Sequence, residues 1–376
     1  MKAQTHGISR LAAILAALGL AGSLAACGGS DYGGSMAAPA ASPPVTPVTP
    51  PSAVSAYAVK DIVADTSGVA TNTDARVKNA WGIAFNPTGF VWVANNGTST
   101  STLYDGNGLP QSLVVAVPGN PTGIVFNSTK DFKVTQNSVS GAAPFIFVGE
   151  SGTVSGWSPG VNMTNAVGVV DAGAAGKVYK GLAISAYLGI NYIYATDFHN
   201  GTIDVYDGTF TKVSLPGGFR DATIPPGYAP FGIQAIASNI YVTYARQDAQ
   251  AHDDVPGAGI GIVDVFDAGG NFIKQLVKGG ALNAPWGLAM APAGFGTLSG
   301  KLLVANFGDG KINAYDPADG SFAGALSKAD GTPVVIDGLW GIAFGNGVNS
   351  QPVNTLFFTA GPADEAHGLY GRVDLQ

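Results

Sequence analysis

Side chains able to ligate, attack or transfer protons are scarce in this chain, so their positions carry weight. Of 376 residues only 18 are Lys or Arg, 25 are Asp or Glu and 4 are His, and the one cysteine is Cys27. His199, His252 and His367 each stand within three residues of carboxylates: Asp197, then Asp253 and Asp254, then Asp364 and Glu365. Arg246 and Asp248 precede the second group, and Asn95 with Asn96, Glu150, and Asn306 with Asp309 recur in similar settings. Imidazole beside carboxylate can bind a divalent metal or pass protons. Exposed loops also gather polar residues through solvation alone, which is the competing explanation of the same clustering. Trp81, Trp286 and Trp340 are candidates of another kind, because indole faces can form a platform for a sugar or other flat ligand. Large aromatics beside a strand start usually pack, so core wedging is the expectation for them.

Two motif matches lack the context their chemistry needs. Gly156-Trp157-Ser158-Pro159-Gly160 fits a nucleophile elbow, but it aligns with hairpin turns elsewhere in the chain, not with a strand-to-helix turn. Gly257-Ala258-Gly259-Ile260-Gly261 leads into a strand, where a phosphate would need a helix N-terminus or an amide nest.

The elements that must position these residues follow from composition and repetition. With 54 Gly and 23 Pro, helices would be interrupted everywhere, while 46% hydrophobic residues suffice for a core. A net charge of −7 argues against a nucleic-acid partner. One pattern recurs, a residue followed by Gly and an apolar run: Trp81-Gly82-Ile83, Thr122-Gly123-Ile124, Lys180-Gly181-Leu182, Phe231-Gly232-Ile233, Trp286-Gly287-Leu288 and Trp340-Gly341-Ile342. The glycines lie 41, 58, 51, 55 and 54 residues apart, and each is followed by a second apolar strand. A third strand ends in Tyr104-Asp105, Trp157-Ser158, Tyr206-Asp207, Phe266-Asp267 or Tyr315-Asp316, tight-turn chemistry; the sixth unit departs with Val373-Asp374.

Four strands at a period near 50 residues predict an all-β, six-bladed propeller of four-stranded blades over residues 54–376. The last unit is one strand short, and the alternating residues 57–64 supply it, so that the N-terminal strand pairs with the last blade and closes the ring. In that topology the starts of first strands and the ends of second strands share one face, which gathers nearly all the polar candidates.

The N-terminus predicts an address. Residues 1–26 read as an export signal, with Lys2 and Arg10 ahead of an apolar run at 11–20 too short to span a bilayer. Leu24-Ala25-Ala26-Cys27 resembles the lipobox of bacterial lipoproteins, which implies lipidation of Cys27 and a membrane as partner. Residues 27–53, rich in Gly, Ser, Ala and Pro, read as a linker. Gly28 after the lipid site points to the outer rather than the inner membrane, if the cell is Gram-negative.

The repeat resembles NHL-type and gluconolactonase-like six-bladed propellers. More closely, residues 55–376 are similar to an uncharacterised family of exported bacterial propellers. The likeness rests on Asn283-Ala284-Pro285-Trp286-Gly287-Leu288-Ala289, Ala305-Asn306-Phe307-Gly308-Asp309-Gly310, Gln247-Asp248-Ala249 with His252-Asp253-Asp254, and Gly361-Pro362 with Asp364-Glu365-Ala366-His367-Gly368. It implies a fold, not a reaction. The gluconolactonase-like enzymes hold a divalent metal at the channel mouth on carboxylate and Asn ligands. Here the first-strand starts carry Trp, Thr, Lys and Phe instead, so Asn95, Glu150, Asp197 and Asn306 are the oxygen donors left for a Ca2+-like ion. No other cofactor is indicated. The expectation is a lipid-anchored envelope protein acting as a non-enzymatic binding module for a protein, glycan or small molecule. A metal-dependent lactonase- or esterase-like hydrolase is the alternative. Its binding residues would be Trp81, Trp286, Trp340, Asn95, Asp197, His199, Arg246, Asp248, His252, Asp253, Asn306, Glu365 and His367.

Overall fold

The computed structural model describes residues 55–376, and the segments expected to be export signal and linker, with Cys27, lie outside them. The described residues form six blade sheets, antiparallel but for one short edge strand, and a separate two-stranded hairpin. Blade 1 runs Ala80–Phe85, Val91–Asn95, Thr100–Tyr104 and Pro110–Ala116, and blade 2 runs Pro121–Phe126, Phe145–Gly149, Thr153–Trp157 and Val167–Asp171. Blade 3 holds Tyr179–Tyr187, Ile190–Asp197, Thr202–Asp207 and a two-residue Lys212–Val213. Blade 4 holds Tyr228–Ile236, Asn239–Arg246, Ile262–Asp267 and Phe272–Lys278, and blade 5 holds Pro285–Met290, Leu302–Asn306, Ile312–Tyr315 and Phe322–Ala325.

Blade 6 is assembled from both ends of the described chain. Leu339–Phe344, Leu356–Ala360 and Leu369–Leu375 are joined by Tyr57–Ala64, which pairs antiparallel with the last strand from Tyr57↔Leu375 to Ala64↔Leu369. This is the closure the sequence implies. Two features go beyond it: Asn72–Thr73 adds a short fifth strand parallel to Tyr57–Ala64, and the hairpin Lys133–Gln136/Val139–Ala142 is inserted into blade 2.

The recurrent glycine has a steric cause. A Cβ on Gly341 would stand 2.8 Å from the Trp81 carbonyl oxygen, and one on Gly123 2.6 Å from the Leu182 nitrogen. Inner strands of adjacent blades therefore approach closer than any side chain allows. A threonine on the second strand fastens the same contact. Thr196 Oγ1 accepts from Gly181 N at 2.7 Å and donates to Phe231 O of the next blade at 2.7 Å. Thr359 does the same between Gly341 and Trp81 across the ring closure.

The third-strand aromatics Tyr104, Tyr206, Phe266 and Tyr315 are buried between blades, and the aspartates after them cap their own turns. Asp207 Oδ1, for example, accepts from the Thr209 and Thr211 amides. Ser158 is buried at the corresponding turn of blade 2, where its carbonyl accepts from Val161 N, so it is a turn residue and not a nucleophile.

Candidate functional site

Strand register sets the polar face. Ala80 pairs with Asn95, Tyr179 with Asp197, Tyr228 with Arg246 and Pro285 with Asn306, so first-strand starts and second-strand ends meet at one mouth of the channel, as expected.

The floor of that mouth is aromatic. Trp81 and Trp340 stack at 3.7 Å, Phe307 stacks on Trp340 at 3.9 Å, and Trp286 meets Trp81 edge-on at 6.4 Å. Trp81 and Trp340 are each 1% exposed. They plug the channel as core and offer no open indole platform, because six inner strands converging on an axis leave a hole that only large flat side chains fill. The Trp340 indole N–H donates to Asn79 Oδ1 at 3.0 Å and that of Trp286 to Lys180 O at 3.1 Å.

On this floor sits Lys180, the residue that sequence reasoning placed near the channel but did not choose. It is 1% exposed, and its ammonium lies 5.0 Å from the Trp81 ring centre. Nζ donates to Glu150 Oε1 at 2.5 Å and to Asp253 Oδ1 at 2.9 Å. Burial opposes the charge, but those two carboxylates hold its pKa above the ordinary lysine value. Glu150 also accepts from Asn96 Nδ2 at 2.7 Å, and Asn79 Nδ2 donates to Glu365 Oε2. Loops of blades 1, 2, 3, 4 and 6 thus meet at one buried cation.

The carboxylates around it differ in charge state. Burial raises Asp253, yet Lys180 and His252 outweigh that and hold it below the ordinary value. Asp254 is pushed up to about 7, chiefly by burial, and its Oδ2 has no hydrogen-bond partner. Glu365 is also raised, chiefly by burial. A loop spanning residues 246–258 brings Asp253 in. Gln247 Nε2 fastens it to the Phe198 and His199 carbonyls at 2.6 and 3.2 Å, and Asp248 Oδ1 accepts from the His252 amide at 2.8 Å. Arg246 is exposed at its start, and His199 Nδ1 lies 3.3 Å from Ala251 O. His252 Nδ1 is 3.0 Å from Asp253 Oδ1.

Of the oxygen set, Glu150 bonds to Lys180 and Asn96, while Asn95, Asp197 and Asn306 make their side-chain bonds elsewhere, and the Oδ1 atoms of Asn95 and Asn306 have no hydrogen-bond partner. Asn95, Asp197 and Asn306 are 0% exposed and serve their own blades. Asn95 Nδ2 donates to Thr102 Oγ1 at 2.9 Å, Asp197 accepts from Lys177 at 2.7 Å and Asn200 at 2.8 Å, and Asn306 Nδ2 donates to Ala281 O at 2.8 Å. As the last residues of second strands, their side chains are directed by the sheet. His199 meets the 246–258 loop that bears His252, whereas His367 pairs with Asp65 at 2.9 Å. One acidic and imidazole group with metal-binding spacing does form at the mouth: single atoms of Glu150, His252 and Asp253 lie within 4.8 Å of one another. The Lys180 ammonium is already bonded to both Glu150 and Asp253.

No protein-family model matches the chain. The uncharacterised proteins R648 and L690 of Acanthamoeba polyphaga mimivirus are 33% and 31% identical to it. Each alignment covers 88% of this chain, and 83% and 89% of the respective viral protein. Both are viral, whereas the sequence resemblance pointed to a bacterial group. Among solved structures, a Bacteroides thetaiotaomicron protein of unknown function has a TM-score of 0.54 at 10% identity, over 85% of this chain and 76% of that one. Streptogramin B lyase has a TM-score of 0.45 at 11% identity over 85% of this chain and 98% of its own. The likeness to the Bacteroides protein is one of fold.

Proposed function

The chain belongs to the family that includes the mimivirus proteins R648 and L690, and we propose that it is a non-enzymatic binding module whose ligand docks at the Lys180 mouth and on the 246–258 loop. One observation carries this reading: Asp253, with its side chain 59% exposed, is bonded to a lysine whose side chain is 1% exposed. A rim residue fixed to a buried post presents its remaining acceptor atoms with little ordering left to pay on binding. Glu150, Asp253, Asp254 and Glu365 outnumber the single ammonium, and an ionised carboxylate only accepts hydrogen bonds, so a ligand bearing an amine or several hydroxyls supplies donors to Asp253 and Glu150 and favours ionisation of the raised Asp254 and Glu365. The test is a panel of glycans and small amines screened by thermal shift against the wild-type protein, His252→Ala and Asp253→Asn. At least one compound should bind the wild type and lose about tenfold or more in affinity with Asp253→Asn. Hits that bind all three proteins equally would defeat the proposal.

The spacing of Glu150, His252 and Asp253 favours a second reading, a metal-dependent lactonase- or esterase-like hydrolase. It requires a divalent ion to displace Lys180 from both carboxylates. Ester or lactone turnover that is abolished by chelation and by His252→Ala would establish it in place of the first.

The same proposal has the protein exported and anchored through a lipid on Cys27, supported by Lys2, Arg10, the apolar run and Leu24-Ala25-Ala26-Cys27. Cys27→Ser should release the chain from membranes, and continued retention would contradict the anchor.

A further inference from the structure

Third strands of five blades carry a buried polar residue two positions before the closing aromatic: Thr102, Ser155, Asp204, Asp264 and Asn313. A buried polar group needs a partner, and the repeat allows the partners to be compared position by position. Thr102 receives Asn95, and Asn313 Nδ2 donates to Ala281 O at 2.9 Å. In blade 3, Asp204 is neutralised by Lys212 at 2.7 Å and Lys177 at 3.1 Å, and it accepts from the Tyr179 hydroxyl at 2.8 Å.

Blade 4 breaks the series. Asp264 is 0% exposed, and neither of its carboxylate oxygens has a hydrogen-bond partner. Both lysines are gone from the equivalent places. Tyr228 stands four residues before the repeat glycine as Lys177 does, and Phe272 pairs with Phe266 as Lys212 pairs with Tyr206. What faces Asp264 instead is a second acid, Asp221, together with Tyr244 and Gln275. Gln275 lies opposite Asp264 in the strand register and turns its Nε2 to Asp221 Oδ2 at 3.2 Å, which leaves its Oε1 as an oxygen donor. Asp221 also accepts from the Thr223 amide at 2.7 Å and the Thr223 hydroxyl at 2.8 Å.

We infer that Asp264 and Asp221 are the core of a hard-cation site of the Ca2+ class on the flank of blade 4, with Gln275 as a further oxygen donor. Two carboxylates and an amide oxygen suit such an ion, with water completing its shell and the neutral Tyr244 hydroxyl beside it. The ion takes the place that two ammonium groups fill in blade 3. Burial, and after it Asp221, push the Asp264 carboxyl up to about 8 when no positive partner is present. Asp221 is half-buried on the segment joining blades 3 and 4, so the ion reaches the site from that side and ties the connector to blade 4. The site is separate from the Lys180 mouth and independent of the function proposed for it.

The experiment uses Tb3+ as a luminescent Ca2+ surrogate, sensitised by Tyr244, together with thermal midpoints in EDTA and in about 1 mM Ca2+. The proteins are wild type, Asp264→Asn, Asp221→Asn and the mouth variant Asp253→Asn. Ca2+ should raise the midpoint of wild type and Asp253→Asn by several degrees and quench their Tb3+ emission by competition. Both effects should vanish in Asp264→Asn and weaken in Asp221→Asn, while Asp264→Asn in EDTA melts at or above the wild-type temperature and so is folded. No Ca2+ effect on the wild type, with Asp264→Asn still stabilising, would overturn the inference and assign a shared proton to the pair. A Ca2+ effect lost in Asp253→Asn and kept in Asp264→Asn would overturn it in favour of the mouth.

Discussion

Asn95 and Asn96 are adjacent, yet one serves its blade and the other the mouth. Asn95 ends a strand and is directed into the sheet, whereas Asn96 and, in blade 2, Glu150 stand one position past the strand and reach toward Lys180. The sequence points equally to Asn95, Asp197 and Asn306 and to Glu150, Asp253 and Glu365, and only the last three belong to the Lys180 cluster. A difference of one residue at a strand end is below what periodicity resolves. The signal for Lys180 was present, as a lone cation at a first-strand start where four other units carry Trp or Phe. Two raised carboxyls make a prediction at this scale. Asp254 at about 7 and Asp264 at about 8 hold protons in the folded state that an unfolded carboxyl, with a pKa of about 3.9, has already lost. Stability therefore falls as pH rises through that window. In EDTA the wild-type thermal midpoint should be lower at pH 8 than at pH 5, with the difference reduced in Asp264→Asn. A midpoint that rises over the same interval in the wild type would contradict these assignments.

At the scale of elements, the repeat glycine lets adjacent blades approach around the ring, and a threonine fastens that glycine in blades 3, 4 and 6. The glycine spacing was legible because the steric demand recurs in every unit. The hairpin Lys133–Gln136/Val139–Ala142 has no counterpart in other blades, and its polar strands gave no periodic signal. The stub Lys212–Val213 was likewise hidden, since the chain leaves blade 3 early and Phe219 N bonds to Gly270 O of blade 4. Gly341→Ala should destabilise the protein by about 1–3 kcal/mol, because the added methyl meets the Trp81 carbonyl and cannot be relieved by a side-chain shift. Gly168→Ala, where a Cβ meets nothing within 4 Å, should stay within about 0.5 kcal/mol. Equal losses in the two variants under chemical denaturation would remove the close-approach explanation.

For the molecule as a whole, fold and closure were readable because they rest on local repetition and on counting strands against units. The mouth was not, because its cluster is drawn from five blades whose loops share no motif and meet only once the ring is closed. That assembly places a preorganised, carboxylate-rich rim over an aromatic plug, and its role as the binding centre is the central claim. Hydrogen–deuterium exchange on the wild-type protein, with and without a ligand found in the panel, tests it most directly. The account predicts protection in the 246–258 loop and in the loops bearing Asn79, Glu150 and Glu365. Protection confined to the opposite channel mouth around Phe85, Phe126, Met290 and Phe344, or to the outer strands, would contradict it.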